Sequence, residues 1–191
     1  MQGKINKATI KLRHLVSNEV VSSFQQDGVV FLRDVFGPWV EGVRQAIEQN
    51  KANPSWRERT YRPQMGSETE FFQDYCVWSH FSGYRALVVD SPMAAIAAEL
   101  MGSKTARIFH DHVLVKEPGS TVVTPWHHDQ PYYIVDGEQS VSFWVPLDQI
   151  TRENGASNMW PLRISGEKAI HQSVLTGQIF IQMTKARRYL T

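Results

Sequence analysis

The sequence predicts a mainly β domain with helices toward its N-terminus, an α+β arrangement whose strands form a double-stranded jelly roll. Three observations carry this. Apolar residues recur at helical spacing in the first half, as Val40, Val43 and Ile47 do. From Thr105 the pattern changes to alternation, in Thr105–Lys116 and again in Glu138–Leu147. The chain has 191 residues, 42% of them hydrophobic and 11% aromatic, enough for one core and against disorder. It reads as a single domain over 1–191, with a helical and loop part over 1–104, strands over 105–155 and a tail over 156–191.

In chain order, Ser17 caps a helix over Asn18–Gln26, with Glu19 near its positive end. Asp27-Gly28 is a turn, and Val29–Leu32 then reads as a short buried strand. Gly37-Pro38 opens a second helix, Pro38 being tolerated in the first turn. Residues 53–82 read as loop-rich and aromatic, with Trp56, Tyr61, Phe71, Tyr75 and Trp78 filling gaps beside the core. The functional alternative for that stretch is a lid or wall for an apolar substrate. Ser91-Pro92 starts a helix over Met93–Met101, stopped by Gly102. Alternation in Thr105–Lys116 puts His110, His112 and Lys116 on one face and Asp111, Val113 and Val115 on the other. In the following strand Val141, Phe143, Val145 and Leu147 face the core, away from Ser142 and Trp144.

Charge and composition exclude several classes. Twenty basic against nineteen acidic residues give no pull toward nucleic acid or an anionic membrane. The single Cys76 rules out an internal disulfide and fits a reducing compartment. The start, Met1-Gln2-Gly3-Lys4, lacks the apolar core of a signal peptide. The apolar region Ala86–Met101 is broken by Asp90, Ser91 and Pro92, so it does not span a bilayer. The expectation is a cytoplasmic protein whose partner is a small molecule, with neither nucleic acid nor membrane involved.

The densest chemistry lies in Pro125–Tyr133, which reads PWHHDQPYY. In an extended segment His127 and Asp129 point the same way and His128 the opposite way. An imidazole and a carboxylate side by side are two corners of the 2-His-1-carboxylate triad that holds Fe(II) on one face. The plain alternative is a pair of surface polar residues. Lys116 in line with two histidines needs a partner if buried. It either sits exposed at the strand end or meets an anionic cosubstrate. His110 and His112 form a further H-x-H pair, which lacks the aromatic surroundings of His127.

The stretch Asp111–Asn154 resembles the phytanoyl-CoA dioxygenase family of Fe(II)/2-oxoglutarate oxygenases. The matching pieces are Lys116-Glu117-Pro118-Gly119, the PWHHDQPYY segment, Ser142–Asp148 (SFWVPLD) and the turn Glu153-Asn154-Gly155. The likeness begins near Val16 and is strongest over 108–156. It implies a cupin-like jelly roll in which His127, Asp129 and a distal histidine hold iron. It also implies that Lys116, His112 and Trp144 line the 2-oxoglutarate pocket, with ascorbate as reductant. The reaction implied is hydroxylation of a C–H bond coupled to decarboxylation of 2-oxoglutarate to succinate. Retention of Asp129 favours this over halogenation, for which related enzymes lose the carboxylate.

The resemblance stops after Gly155. There the family continues with a run like A-L-x-F-V-P-G-S-H, then the distal histidine and a carboxylate-binding arginine. Here Ala156–Gly166 reads ASNMWPLRISG. Back-translation with one base restored near Ala156 turns the run into Ala-Leu-Glu-Tyr-Val-Ala, the single codons of Met159 and Trp160 forcing the valine. A one-nucleotide frameshift would make Ser157–Thr191 foreign and the jelly roll incomplete at its C-terminus. His171 is then the only histidine after the motif, and Arg187 and Arg188 the only arginines near the end, all in contexts unlike the family's. Two other readings stand beside the oxygenase: a catalytically inactive, truncated family member, and a cupin-like metal enzyme that uses His110, His112, His127 and His128 without 2-oxoglutarate.

Overall fold

Helix α1 (Asn18–Asp27) begins where Ser17, extended at φ −77° and ψ 164°, accepts the Val20 N–H at 3.4 Å. It ends at Gly28, whose left-handed φ of 74° lets its N–H reach the Phe24 carbonyl. The computed structural model describes residues 16–62, 70–118, 120, 124–125, 127, 129, 139–151 and 178–184, the last stretch as a backbone strand. Helix α2 (Gly37–Ala52) carries Pro38 in its first turn and buries Val43, Ala46 and Ile47. Helices α3 (Ser82–Asp90) and α4 (Met93–Leu100) follow, and Gly102 leaves the second with φ 58°. Gly42 and Gly83 let α2 and α3 cross backbone to backbone, since a Cβ on Gly83 would collide with the Gly42 carbonyl oxygen. None of the described helices is long and apolar enough to cross a membrane.

Four strands make one antiparallel sheet: β1 (Phe71–Tyr75), β2 (Arg107–Lys116), β3 (Ser140–Pro146) and β4 (Gln178–Thr184), in the order β1-β2-β4-β3. One face carries Phe72, Val113, Val115, Val141, Phe143 and Val145, all buried in one cluster with the helices. That settles the alternation expected for β2 and β3, with the core on the valine side. Helix α2 is strapped to the sheet at its middle and at its C-terminal end. Arg44 donates to the Leu147 carbonyl and pairs with Asp148 at 2.7 Å, while Lys51 pairs with Glu117 at 2.6 Å.

Three expectations need correction. Val29–Leu32 joins no ladder; Val30 and Leu32 are partly buried against the core while Phe31 is 74% exposed. The apolar run is explained by packing alone. Residues 53–82 are not merely loop, because β1 lies within them and α3 begins at their end. Residues 59–61 also run alongside β1, with Arg59 N–H donating to the Gln73 carbonyl and Tyr61 exchanging two bonds with Phe71. Finally, Gln178–Thr184 is paired on both sides, although it lies in the tail read as foreign to the family. Its Ile179, Ile181 and Met183 occupy register positions opposite Val145, Phe143 and Val141. A gap between β2 and β3 would leave two rows of backbone groups without partners, and β4 fills it.

Candidate functional site

Opposed residues in an antiparallel ladder share a face, so the register sorts the sheet's second surface. One row crosses it as Tyr75, His112, Phe180 and Trp144. Lys116 lies on the same surface, opposite Phe71. Thus His112, Lys116 and Trp144, on two different strands, look out from the side of the sheet that the helices leave uncovered.

The row is a strained place electrostatically. The Tyr75 ring stacks on His112 with centroids 3.8 Å apart and planes 21° from parallel. Burial, helped by the neighbouring His110, pushes the His112 pKa down to about 3, so the ring is neutral at physiological pH. Its Nε2 and the Nε1 of Trp144 are buried without a hydrogen-bond partner among the described residues. Such an orphaned polar atom costs about 1–3 kcal/mol, which an incoming acceptor or donor would recover. Lys116 is 3% exposed, and burial lowers its pKa from the usual lysine value. Its Nζ donates to Thr124 Oγ1 at 3.2 Å and stands 4.7 Å from the centre of the Phe71 ring.

Thr124 brings the chain from this face to the H-x-D segment. His127 Nδ1 lies 2.8 Å from the Pro125 carbonyl oxygen. A carbonyl only accepts, so Nδ1 donates and Nε2 is the ring nitrogen left to face a metal ion. Nε2 stands 3.3 Å from Asp129 Oδ1. Two donors each about 2.1 Å from a metal ion and about 90° apart would be about 3.0 Å from one another. The pair therefore fits a metal ion with little movement, and an imidazole with a carboxylate suits a divalent ion. Burial lowers the pKa of His110, against which Asp129 acts by favouring the charged ring. Among the described residues no three His, Cys, Asp or Glu side chains converge, so His110 and His112 do not complete a set with His127. His128, His171, Arg187 and Arg188 lie outside the described residues.

Sequence reasoning missed Tyr75, because the stack on His112 depends on the β1–β2 register. It also missed Thr124, a lone hydroxyl with nothing in its spacing to single it out.

The family model described as "Phytanoyl-CoA dioxygenase (PhyH)" matches residues 24–162. No curated protein sequence matches the chain. Several solved structures share the fold at low identity. The non-heme alpha ketoglutarate dependent carbocyclase SnoK from nogalamycin biosynthesis aligns with TM-score 0.68 and 18% identity, covering 91% of this chain and 79% of its own. EctD from S. alaskensis, in its apoform, aligns with TM-score 0.69 and 16% identity, over 88% of this chain and 77% of its own. The epimerase SnoN, solved with Fe3+, alpha ketoglutarate and nogalamycin RO, aligns with TM-score 0.56 and 19% identity, over 92% and 77%.

Proposed function

We propose, from the premise that the chain belongs to the phytanoyl-CoA dioxygenase family, which uses Fe(II) and 2-oxoglutarate, that it hydroxylates a C–H bond of a small molecule. The observation that carries the reading is the approach of His127 Nε2 to Asp129 Oδ1 at 3.3 Å, with Nδ1 committed to the Pro125 carbonyl. In this reading the four-stranded sheet is one half of a jelly roll and its uncovered face lines the active site.

Fe(II) with 2-oxoglutarate supplies, when bound, dioxygen activation coupled to decarboxylation of the keto acid. The chain's own residues do the rest. His127 and Asp129 hold the ion, the Pro125 carbonyl fixing the imidazole's tautomer. Lys116 offers an ammonium to a cosubstrate carboxylate, with Thr124 and the Phe71 ring setting its direction. Trp144 Nε1 and His112 Nε2 are the buried polar atoms left to meet carboxylate or keto oxygens. Tyr75 keeps the His112 ring in plane and water away from it.

The test is calorimetric titration of Fe(II), Co(II) or Ni(II) into the parent, His127→Ala, Asp129→Ala and His128→Ala, followed by 2-oxoglutarate decarboxylation with Fe(II) and ascorbate. Loss of metal affinity in the first two variants and not the third is expected. Parent-like affinity in both His127→Ala and Asp129→Ala would end the idea.

A further inference from the structure

Beside β1 the surface holds an open cavity of about 410 Å³ lined by Trp56, Arg57, Arg59 and Tyr75. Three features set it apart. First, it continues the row of the candidate site. Arg57 and Tyr75 share its lining, and the Tyr75 ring stacks on His112.

Second, the groove is cationic, and its lining among the described residues includes no acidic side chain. The described ion pairs engage Arg44, Lys51 and Arg62, and neither Arg57 nor Arg59 is in one. Among the described residues the Arg59 guanidinium donates to the Glu58 carbonyl. Third, Trp56 is 77% exposed, with the Arg57 guanidinium over its ring at 4.1 Å from the centroid. An exposed indole with a guanidinium on its face presents an apolar plane and a fork of N–H donors to the same ligand.

We propose that this groove is where the substrate is recognised, and that the substrate bears a carboxylate or phosphate on an apolar, planar or chain-like body. The anionic group lies between Arg57 and Arg59, the body rests on Trp56 and the reacting end passes Tyr75 toward His127 and Asp129. The proposal rests on the oxygenase reading for what happens at the far end, while the binding itself does not. It bears on the functional alternative for residues 53–82, a lid or wall for an apolar substrate, by setting two of the aromatic residues there, Trp56 and Tyr75, beside two arginines.

The test needs no turnover. Purified protein without metal is titrated with 2-naphthoate, 2-naphthyl phosphate and the neutral 2-naphthalenemethanol, with calorimetry as the readout. At least one anion is expected to bind at least about tenfold more tightly than the alcohol, an advantage shrinking as salt rises. Which anion wins distinguishes a carboxylate from a phosphate substrate. Arg57→Gln/Arg59→Gln should lose that advantage, Arg57→Lys/Arg59→Lys should keep part of it, and Trp56→Ala should weaken all three probes. Thermal unfolding of each variant guards against misfolding, which is unexpected at exposed or half-buried side chains. Equal binding of the alcohol and both anions would overturn the proposal, as would parent-like anion binding by the double Gln variant. A third overturning result is displacement of the probe by 2-oxoglutarate together with equal loss of both in the double variant, which would make the groove the cosubstrate's seat. If the anions bind as expected while His127→Ala leaves metal affinity unchanged, the groove stands and the oxygenase reading falls.

Discussion

Tyr75 and His112 lie face to face across the β1–β2 pair, ring centroids 3.8 Å apart. The contact joins a strand that sequence reading overlooked to a histidine it singled out. It also fixes an imidazole whose Nε2 has no hydrogen-bond partner among the described residues. Tyr75→Ala frees that ring to rotate and lets water in. We expect it to weaken 2-oxoglutarate binding about tenfold, roughly the worth of one hydrogen bond to a charged group, with Tyr75→Phe close to the parent. Calorimetric titration of 2-oxoglutarate into the Co(II)-loaded protein reads this out; equal losses in both variants would point to the phenol oxygen instead of the stack.

Tyr75 is held in turn by its neighbour. Asp74 is fully buried, and its carboxylate accepts from Asn50 Nδ2 at 2.8 Å, the Ser55 N–H at 2.7 Å, the Ser55 hydroxyl and the Tyr75 N–H. Asn50 Oδ1 accepts from the Tyr84 hydroxyl at 3.3 Å, so α2, α3 and β1 meet at one polar knot. A buried charge is tolerable only when fully hydrogen-bonded. Asn50→Ala leaves both the carboxylate and the phenol short of a partner and should cost about 2–4 kcal/mol. Urea unfolding with an unchanged m-value is the check.

That knot shows why part of the fold was legible and part was not. Ser17, Pro38 and Gly102 mark helix ends by local chemistry, and β2 and β3 alternate plainly, so these elements follow from the residues alone. Strand β1 reads Phe-Phe-Gln-Asp-Tyr, with a carboxylate on the core side that only donors from Asn50 and Ser55 make acceptable. No local pattern reveals that. Helix α3 has a glycine near its start and no capping hydrogen bond from Phe81, and its apolar run was read only for its break at Asp90–Pro92. At the site, the H-x-D spacing implies that the two side chains share a face. The bond from His127 to Pro125 and the row from Tyr75 to His112 depend on backbone paths and register.

The crossing of α2 and α3 gives a sharp asymmetry between two glycines. A Cβ on Gly42 would sit 3.8 Å from Gly83 Cα, ordinary contact, whereas one on Gly83 would strike the Gly42 carbonyl. Gly42→Ala should be neutral or stabilising by up to about 1 kcal/mol through helix propensity. Gly83→Ala should force the helices apart and cost about 1–3 kcal/mol or more. Thermal unfolding of the two single variants decides it, and equal effects would contradict the close crossing.

Asp111 makes a pH prediction. Burial raises its pKa to about 6, against which the Val77 and Trp78 backbone bonds act. Its folded pKa is above the unfolded value, so between about pH 4 and 6 the folded state holds more protons. Stability from this group therefore falls as pH rises through that window and stays lower above it. Asn cannot titrate and keeps an acceptor for the Val77 N–H, which donates to Asp111 at 3.0 Å. Asp111→Asn should gain on the parent from pH 4 to 6, by about 3 kcal/mol at most for the full difference. A gap between the two melting curves that is constant with pH would refute the assignment.

The last prediction concerns the tail. Strand β4 exchanges ladder bonds with β2 from Arg107 to Leu114 and with β3 from Ser140 to Pro146, so it is the only described link between them. If the segment after Gly155 were inert foreign sequence, deleting residues 178–191 would leave stability unchanged. If β4 is integral, the deletion opens two edges at once and uncovers the core side of Val113, Phe143 and Val145. Strand β3 would then keep no sheet partner among the described residues. We expect the shortened chain to lose cooperative thermal unfolding and to aggregate, with hydrophobic dye binding before any heating. A milder variant separates lost ladder bonds from lost bulk. Ile181→Pro removes one N–H from the centre of a strand paired on both sides, where proline is not tolerated. It should lower stability by about 3 kcal/mol or more, whereas Ile181→Val should cost about 1 kcal/mol or less. Parent-like melting of Ile181→Pro would show that β4 is not held in the sheet, and the tail would revert to the passive role its sequence suggests.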